Sequence, residues 1–356
     1  MEVTNPIIQH VLSGFGLGFS SSHIKKLGNG HINETFLLNG PSKFVLQRIN
    51  TNVFTKPEII ASNLRMASSY LAKNFPGYLF LSAAQTKSGD DMMWDEEESP
   101  WRLYPYISNT ITMDSVSTPE EAFEAAKGFA SLTKKLDGVS VDKFKPTIDR
   151  FQDLVWRFEQ LQDAIQNAPY ERQLEAESAI EQALSFDYLV DEYIDWTQSG
   201  KLKLRVVHND TKINNILFDT RSNKAVAVID LDTLMPGYFI YDLGDMVRTF
   251  VSPVSEEEHD LSQISFRFPF YQSLLDGYLS EMNDCLTVDE KEAIPYSGMM
   301  MTYIMAIRFL ADYLNGDIYY HIDYAEQNLV RASNQLRLLA LIKQNVRPDI
   351  EESDNE

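Results

Sequence analysis

Two aspartates and an asparagine fall close together in Val206-Val207-His208-Asn209-Asp210-Thr211-Lys212-Ile213-Asn214-Asn215-Ile216-Leu217 and the following Val226-Ala227-Val228-Ile229-Asp230. Side chains of these types suit phosphoryl transfer. The transferring group spreads its negative charge, so a protein has to position two oxygens and neutralise that charge, chiefly through metal ions. Magnesium is a hard ion that prefers oxygen donors and keeps several waters, so one carboxylate and one amide beside the phosphates suffice. In such a site Asp210 takes the proton of the acceptor hydroxyl, and Asn215 and Asp230 hold the metal. Lys212, two residues past the base, reaches the transferring phosphate as a point charge. The plain alternative is a polar turn whose Asp and Asn side chains cap backbone groups.

The flanks bear on that choice. Residues 204–207, 216–218 and 225–231 are apolar runs that read as short strands, and a polar loop held between buried strands has the rigidity a catalytic site needs. Upstream, residues 5–12 have helical spacing. Residues 22–27, 35–39 and 43–49 then read as strands separated by Gly28-Asn29-Gly30 and Gly40-Pro41, which is hairpin punctuation. A helix over 57–73 and strands over 78–86, 92–94 and 101–106 complete a small antiparallel sheet. After Ile107 the pattern changes to amphipathic helices over 119–136, 148–167, 172–196, 262–282, 288–315 and 324–343, with Pro269 expected to kink or restart the fourth. The expected class is α+β, with a strand-rich lobe over 1–107 and a mostly helical lobe over 108–356 that carries the loop. The acidic tail from Pro348 is expected to fray.

Composition narrows the function. The chain of 356 residues is 44% hydrophobic and 12% aromatic, enough for real cores. Its net charge of -21 repels nucleic acid, and no basic run offsets it. The acidic run Asp95-Glu96-Glu97-Glu98 reads as a solvated hairpin turn. No apolar stretch approaches the roughly 20 residues of a membrane span. The single cysteine, Cys285, allows no intramolecular disulfide and no cysteine-based zinc cluster, which agrees with a reducing compartment. The expectation is a soluble cytoplasmic protein, monomer or homodimer, with small-molecule partners and neither membrane nor nucleic acid among them.

A His-x-Asp followed five residues later by Asn has the spacing of a kinase catalytic loop, and Asp230 falls where the second metal-binding carboxylate belongs. No Asp-Phe-Gly follows Ile229, and no Ala-Pro-Glu segment is present. His208-Asn209-Asp210 continuing to Asn215, then Ile229-Asp230 and Tyr241-Asp242-Leu243-Gly244-Asp245, resembles the aminoglycoside phosphotransferase and choline kinase superfamily. Within it, Gly28 to Phe36, Phe44 to Asn50 and Arg308 to Asp317 look most like the N-acetylhexosamine 1-kinases. The resemblance implies a bilobal protein-kinase-like fold and transfer of phosphate from ATP, with magnesium, to the anomeric hydroxyl of N-acetylglucosamine or N-acetylgalactosamine. A kinase of an amino alcohol such as choline, homoserine or an aminoglycoside is the alternative, and a nucleotide-binding pseudokinase a second.

Carried over residue by residue, the resemblance implies that Gly28, Asn29, Gly30, His31 and Asn33 cover the phosphates, although a Gly-x-Gly between strands is also an ordinary hairpin turn. The strand that normally presents a phosphate-binding lysine reads Val45-Leu46-Gln47-Arg48, with Gln47 at the lysine position. Strand alternation puts Gln47 and Arg48 on opposite faces. Either Arg48 supplies the charge through a bulge, the favoured reading, or Gln47 binds phosphate without charge. Glu58 is the nearest candidate for the helix-borne glutamate that pairs with this cation. Tyr104 and Tyr106 lie in the segment expected to meet adenine, or else pack in the core. His208 and Asp242 are expected to hold the catalytic loop, with helix capping the plain alternative for Asp242 and Asp245. Sugar recognition falls to His31, Asp210, Arg248, Arg308 and Tyr319. Arg308 stands out because a guanidinium in an apolar helix is costly without a ligand or a partner such as Asp312.

Overall fold

The computed structural model describes residues 6–20, 23–27 and 33–347. Helix α1 (Pro6–Gly14) leads into strands β1 (Ile24–Lys26), β2 (Glu34–Asn39) and β3 (Lys43–Arg48), then helix α2 (Pro57–Asn74), β4 (Met93–Trp94) and β5 (Pro100–Pro105). The strands form one antiparallel sheet in the order β1-β2-β3-β5-β4. Side chains alternate across it. Leu38, Leu46, Trp101 and Leu103 pack with Ile8, Val11 and Leu12 of α1 on the outer face. Val45, Gln47, Arg102 and Tyr104 are thereby left on the inner face. Residues 78–86, expected as a strand, are irregular. Strand β4 pairs with β5 only at Pro100 and Trp101, and beside the rest of β5 this segment makes an isolated bond, Ala84 N–H to Leu103 O at 2.7 Å.

The second lobe contains α3 (Pro119–Leu136), α4 (Leu154–Asn167), α5 (Tyr170–Glu175), α6 (Glu177–Leu184), α7 (Tyr188–Gln198), α8 (Phe239–Phe250), α9 (Phe268–Met282), α10 (Val288–Glu292), α11 (Ile294–Leu314) and α12 (Gln327–Val346). Thr118 and Glu121 form a reciprocal cap at the start of α3. Pro269 lies in the first turn of α9, where its missing N–H costs nothing, so it starts the helix and does not kink it. The single helix expected over 172–196 is three helices, broken at Ala176 and again where the chain turns Phe186 inward against Tyr303. The helix expected from 148 starts at Leu154, with Asp153 as its cap.

Helix α11 is buried on nearly every face and packs between α8 and α12. Gly244 of α8 lies so close to α11 that a β-carbon there would sit 2.3 Å from the carbonyl oxygen of Ser297. This close approach fixes α8, which in turn grips the catalytic loop. Short strands frame that loop: β6 (Thr110–Ile111) pairs with β8 (Ile216–Asp219), which pairs with β9 (Ala225–Val228), while β7 (Arg205–Val207) pairs with β10 (Met235–Gly237). The architecture is the protein-kinase-like one, an antiparallel-sheet lobe joined to a helical lobe.

Candidate active site

The loop from His208 to Asn215 is held from below by α8. Asp242 accepts the backbone N–H of His208 at 3.0 Å and of Asn209 at 2.7 Å, and Asp245 accepts that of Thr211 at 2.8 Å. Asp242 is fully buried in the first turn of α8, but its carboxylate oxygens turn to the loop N–H groups, so it braces the loop and does not cap the helix. Asn209 adopts a left-handed backbone, φ 68°, which its side chain stabilises by donating to the carbonyls of Val207 and Thr233. His208 lies between two backbone groups, with Nε2 2.9 Å from Ile229 O and Nδ1 3.3 Å from Asp210 N. It ties the loop to the strand that leads to Asp230.

Asp210 is thereby presented with its carboxylate partly exposed. Asn215 Nδ2 donates to Asp210 Oδ2 at 3.1 Å, and Lys212 Nζ stands 3.7 Å from Oδ1. Burial acts to raise the Asp210 carboxyl, but Lys212, His208 and the Asn215 amide outweigh it and hold it below the ordinary aspartate value. Asp210 is therefore held in its ionised form, the one that can accept a proton. Lys212 is raised above the usual lysine value by the same pairing and stays charged.

Asp230 stands in the opposite condition. Its backbone is left-handed, φ 55°, and its carboxyl is pushed up to about 7 by burial and by the neighbouring charges of Asp232 and Asp210. Three carboxylates crowded in this way are what a divalent cation relieves. The amide nitrogen of Asn215 is committed to Asp210, so its oxygen end is the one that can meet a cation. The donor set of Asp230 and Asn215 fits magnesium, which supplies charge neutralisation at the transferring phosphate when bound.

On the sheet lobe, Gly28, Asn29, Gly30 and His31 lie outside the described residues. Asn33, just before β2, donates to Asp232 Oδ2 at 2.7 Å and accepts Asn50 N–H at 3.0 Å, so it fastens the start of β2 to the segment after Asp230. The register β2–β3–β5 is regular through Thr35↔Gln47↔Arg102, with no bulge, which corrects the reading that favoured Arg48. Arg48 lies on the opposite side of the sheet and bonds Glu34, Glu97 and Ser99. Gln47 faces inward, and its Oε1 accepts Nε and Nη2 of Arg102 at 3.1 and 3.0 Å. Glu58 is exposed on α2. The Tyr104 ring is buried beside Arg102, 5.2 Å from its guanidinium carbon, while Tyr106 lies at the end of β5 under the ammonium of Lys43.

Beyond Asp210, on the helical lobe, Arg308 lies among the rings of Phe151, Tyr319 and Tyr320, 5.4 to 5.9 Å from their centres. The expected partner Asp312 is engaged elsewhere, accepting the backbone N–H groups of Ile318, Tyr319 and Tyr320 and the Asn328 amide. Among the described residues Arg308 has no carboxylate partner. Neither has Arg157, whose guanidinium is pushed down to about 10 by burial and by Arg308 beside it. Gln152, next to Phe151, donates to the carbonyl of Asn209 at 3.2 Å and so joins this cluster to the catalytic loop. Arg248 was expected at the acceptor, but it is buried and bonded to Asp245, Glu256 and Gln335; it holds Asp245 beneath the loop.

The sequence matches the phosphotransferase enzyme family known as APH over residues 23–267. The chain belongs to that family. Its fold is also similar to solved structures at low identity. The microcompartment-associated aminopropanol kinase matches with a TM-score of 0.64 at 16% identity, covering 96% of this chain and 97% of the other. An aminoglycoside phosphotransferase from Alicyclobacillus acidocaldarius gives 0.61 at 13%, covering 95% and 96%. A spectinomycin phosphotransferase solved with ADP and spectinomycin gives 0.58 at 11%, covering 97% and 100%.

Within this family frame, the residues that sequence reasoning overlooked are Arg102, Asp232, Arg157 and Gln152. Arg102 carried the same signal as Arg308, a guanidinium inside an apolar run, Trp101-Arg102-Leu103. Asp232 in Ile229-Asp230-Leu231-Asp232 had the spacing of a second inward acid.

Proposed function

We propose that this chain transfers the terminal phosphoryl group of ATP, with magnesium, to the anomeric hydroxyl of an N-acetylhexosamine. Asp210 accepts the hydroxyl proton, Asn215 and Asp230 hold the metal, and Lys212 faces the transferring group. The observation that carries the acceptor class is the wall beyond Asp210. It presents aromatic faces and two guanidinium groups, Arg308 and Arg157, that form no ion pair among the described residues. Such a wall suits a hydroxylated ring with a carbonyl acceptor such as an N-acetyl group, since rings cover apolar sugar faces and guanidinium N–H groups donate to oxygen.

An amino alcohol carries a cation, which two neighbouring guanidinium groups repel. The overall acidity of the chain favours that rival at long range, but the guanidinium groups of the wall oppose it at contact. ADP release from ATP and magnesium across N-acetylglucosamine, N-acetylgalactosamine, glucose, galactose, choline, homoserine and kanamycin tests the choice. Turnover confined to the N-acetylhexosamines supports it. Turnover confined to the amines discards the acceptor and keeps the chemistry.

A further inference from the structure

Nucleotide kinases need a cation on the sheet lobe to steady the phosphates, and the position where β3 normally offers one is occupied by the uncharged Gln47. Arg102 is the register partner of Gln47 on β5. Its side chain is 3% exposed, it grips Gln47 Oε1 through Nε and Nη2, and its Nη1 pairs with Asp232. Asp232 is equally buried and also receives Asn33, the residue just before β2. Burying a guanidinium is costly unless something holds it in its charged form, and the attraction of Asp232 and Asp230 outweighs burial to keep Arg102 ionised. Helix α2 offers no equivalent pair, because Glu58, its only acid, is exposed.

We propose that Arg102, delivered from β5, is the cation that binds the nucleotide phosphates in place of a β3 lysine, with Asp232 orienting it in place of a helix glutamate. This rests on the kinase reading above. The juxtaposition explains three features together: an uncharged residue at the lysine position, an arginine inside an apolar strand, and a second aspartate after Asp230. A guanidinium shared between Gln47 and Asp232 also has the planar donor fork that suits two phosphate oxygens at once. Because Asp232 meets both Arg102 and Asn33, loading of phosphate onto Arg102 is coupled to the position of Asn33 at the start of β2.

Calorimetric titration of Mg-ATP, Mg-ADP and adenosine into the wild type and Arg102→Met separates the roles. The expected result is a loss of ATP and ADP affinity of about 10- to 100-fold, as for a lost charged hydrogen-bonding partner. Adenosine affinity should stay within about twofold. Equal weakening of all three ligands, or none, overturns the proposal, since a merely structural arginine cannot discriminate phosphate. Should Arg102→Met fail to fold, the double variant Gln47→Lys/Arg102→Met carries the test by returning a cation to the neighbouring inward position. Preference for ATP over adenosine in that protein supports the assignment, and no preference overturns it. A wild type that binds none of the three overturns the kinase reading itself.

Discussion

Replacing Asp242 by asparagine tests whether α8 sets the geometry of the catalytic loop. The carboxylate accepts the N–H groups of His208 and Asn209 with both oxygens, in a fully buried position. Asparagine can accept one of them, but turns its own NH2 toward the other. One bond to a charged acceptor, worth about 1.5–3 kcal/mol, is lost, and a donor is left facing a donor. With that added penalty the loop gives up about 2–4 kcal/mol of its preference for the observed shape, counting the unsatisfied N–H at the lower end of its range. If the loop must recover this to react, kcat falls about 30- to 1000-fold, at 1.36 kcal/mol per factor of ten. Initial rates of ADP release at saturating acceptor measure the fall, Mg-ADP titration checks that the nucleotide site persists, and urea unfolding measures the stability loss. A variant that keeps more than a third of the wild-type kcat, with unchanged stability, refutes the bracing role.

Four further outcomes follow from the structure. Asp230→Ala is expected to abolish turnover; in metal-free protein Asp230→Asn should also raise Tm at pH 8, because a carboxyl whose folded value is raised to about 7 destabilises the folded state above that pH. That gain should shrink as pH falls from 7 toward the ordinary aspartate value of about 3.9, and a gain that grows on acidification contradicts the crowding. Arg308→Leu should raise the acceptor KM by about 10- to 100-fold while leaving Mg-ATP affinity alone, as for a lost guanidinium donor, and an unchanged KM removes Arg308 from the acceptor site. Glu290 forms a buried pair with Arg205, and although burial alone raises its carboxyl, the bonds from Arg205 and from the backbone of Thr287 and Lys203 hold it below the usual glutamate value. The pair therefore stabilises the fold above the ordinary glutamate range and loses that contribution as pH falls through the lowered value; Glu290→Ala should cost about 3–5 kcal/mol at pH 7 in urea unfolding, less in acid, and a pH-independent difference sinks this reading.

The catalytic loop was legible because its polar residues stand between apolar runs, so both spacing and flanks were visible in one stretch of sequence. The strand register around Gln47 was half legible. Alternation put Gln47 and Arg48 on opposite faces, but which face turned inward depended on α1 packing against Leu46 and Trp101, a tertiary choice that strand periodicity does not contain. Arg102 and Asp232 were missed for a related reason: each is unremarkable alone, and the chemistry arises only when β5 meets the segment after Asp230. Arg308 was singled out as a guanidinium needing a ligand or a partner such as Asp312, and Asp312 is instead occupied by the backbone of residues 318–320 and by Asn328. The long helix expected over 172–196 breaks at Ala176 and again over 185–187, where tight turns keep the backbone N–H groups bonded while they bring Phe186 into the core, a tertiary contact that helical periodicity does not contain.

In the proposed function, Asp210 directs phosphate to the anomeric oxygen of an N-acetylhexosamine. Phosphorus NMR of the product from N-acetylglucosamine, ATP and magnesium tests it most directly. The account predicts a single sugar phosphate whose resonance is coupled to the anomeric proton, labile to mild acid, and absent with Asp210→Asn. A product phosphorylated at another hydroxyl, or one formed equally well by Asp210→Asn, contradicts it.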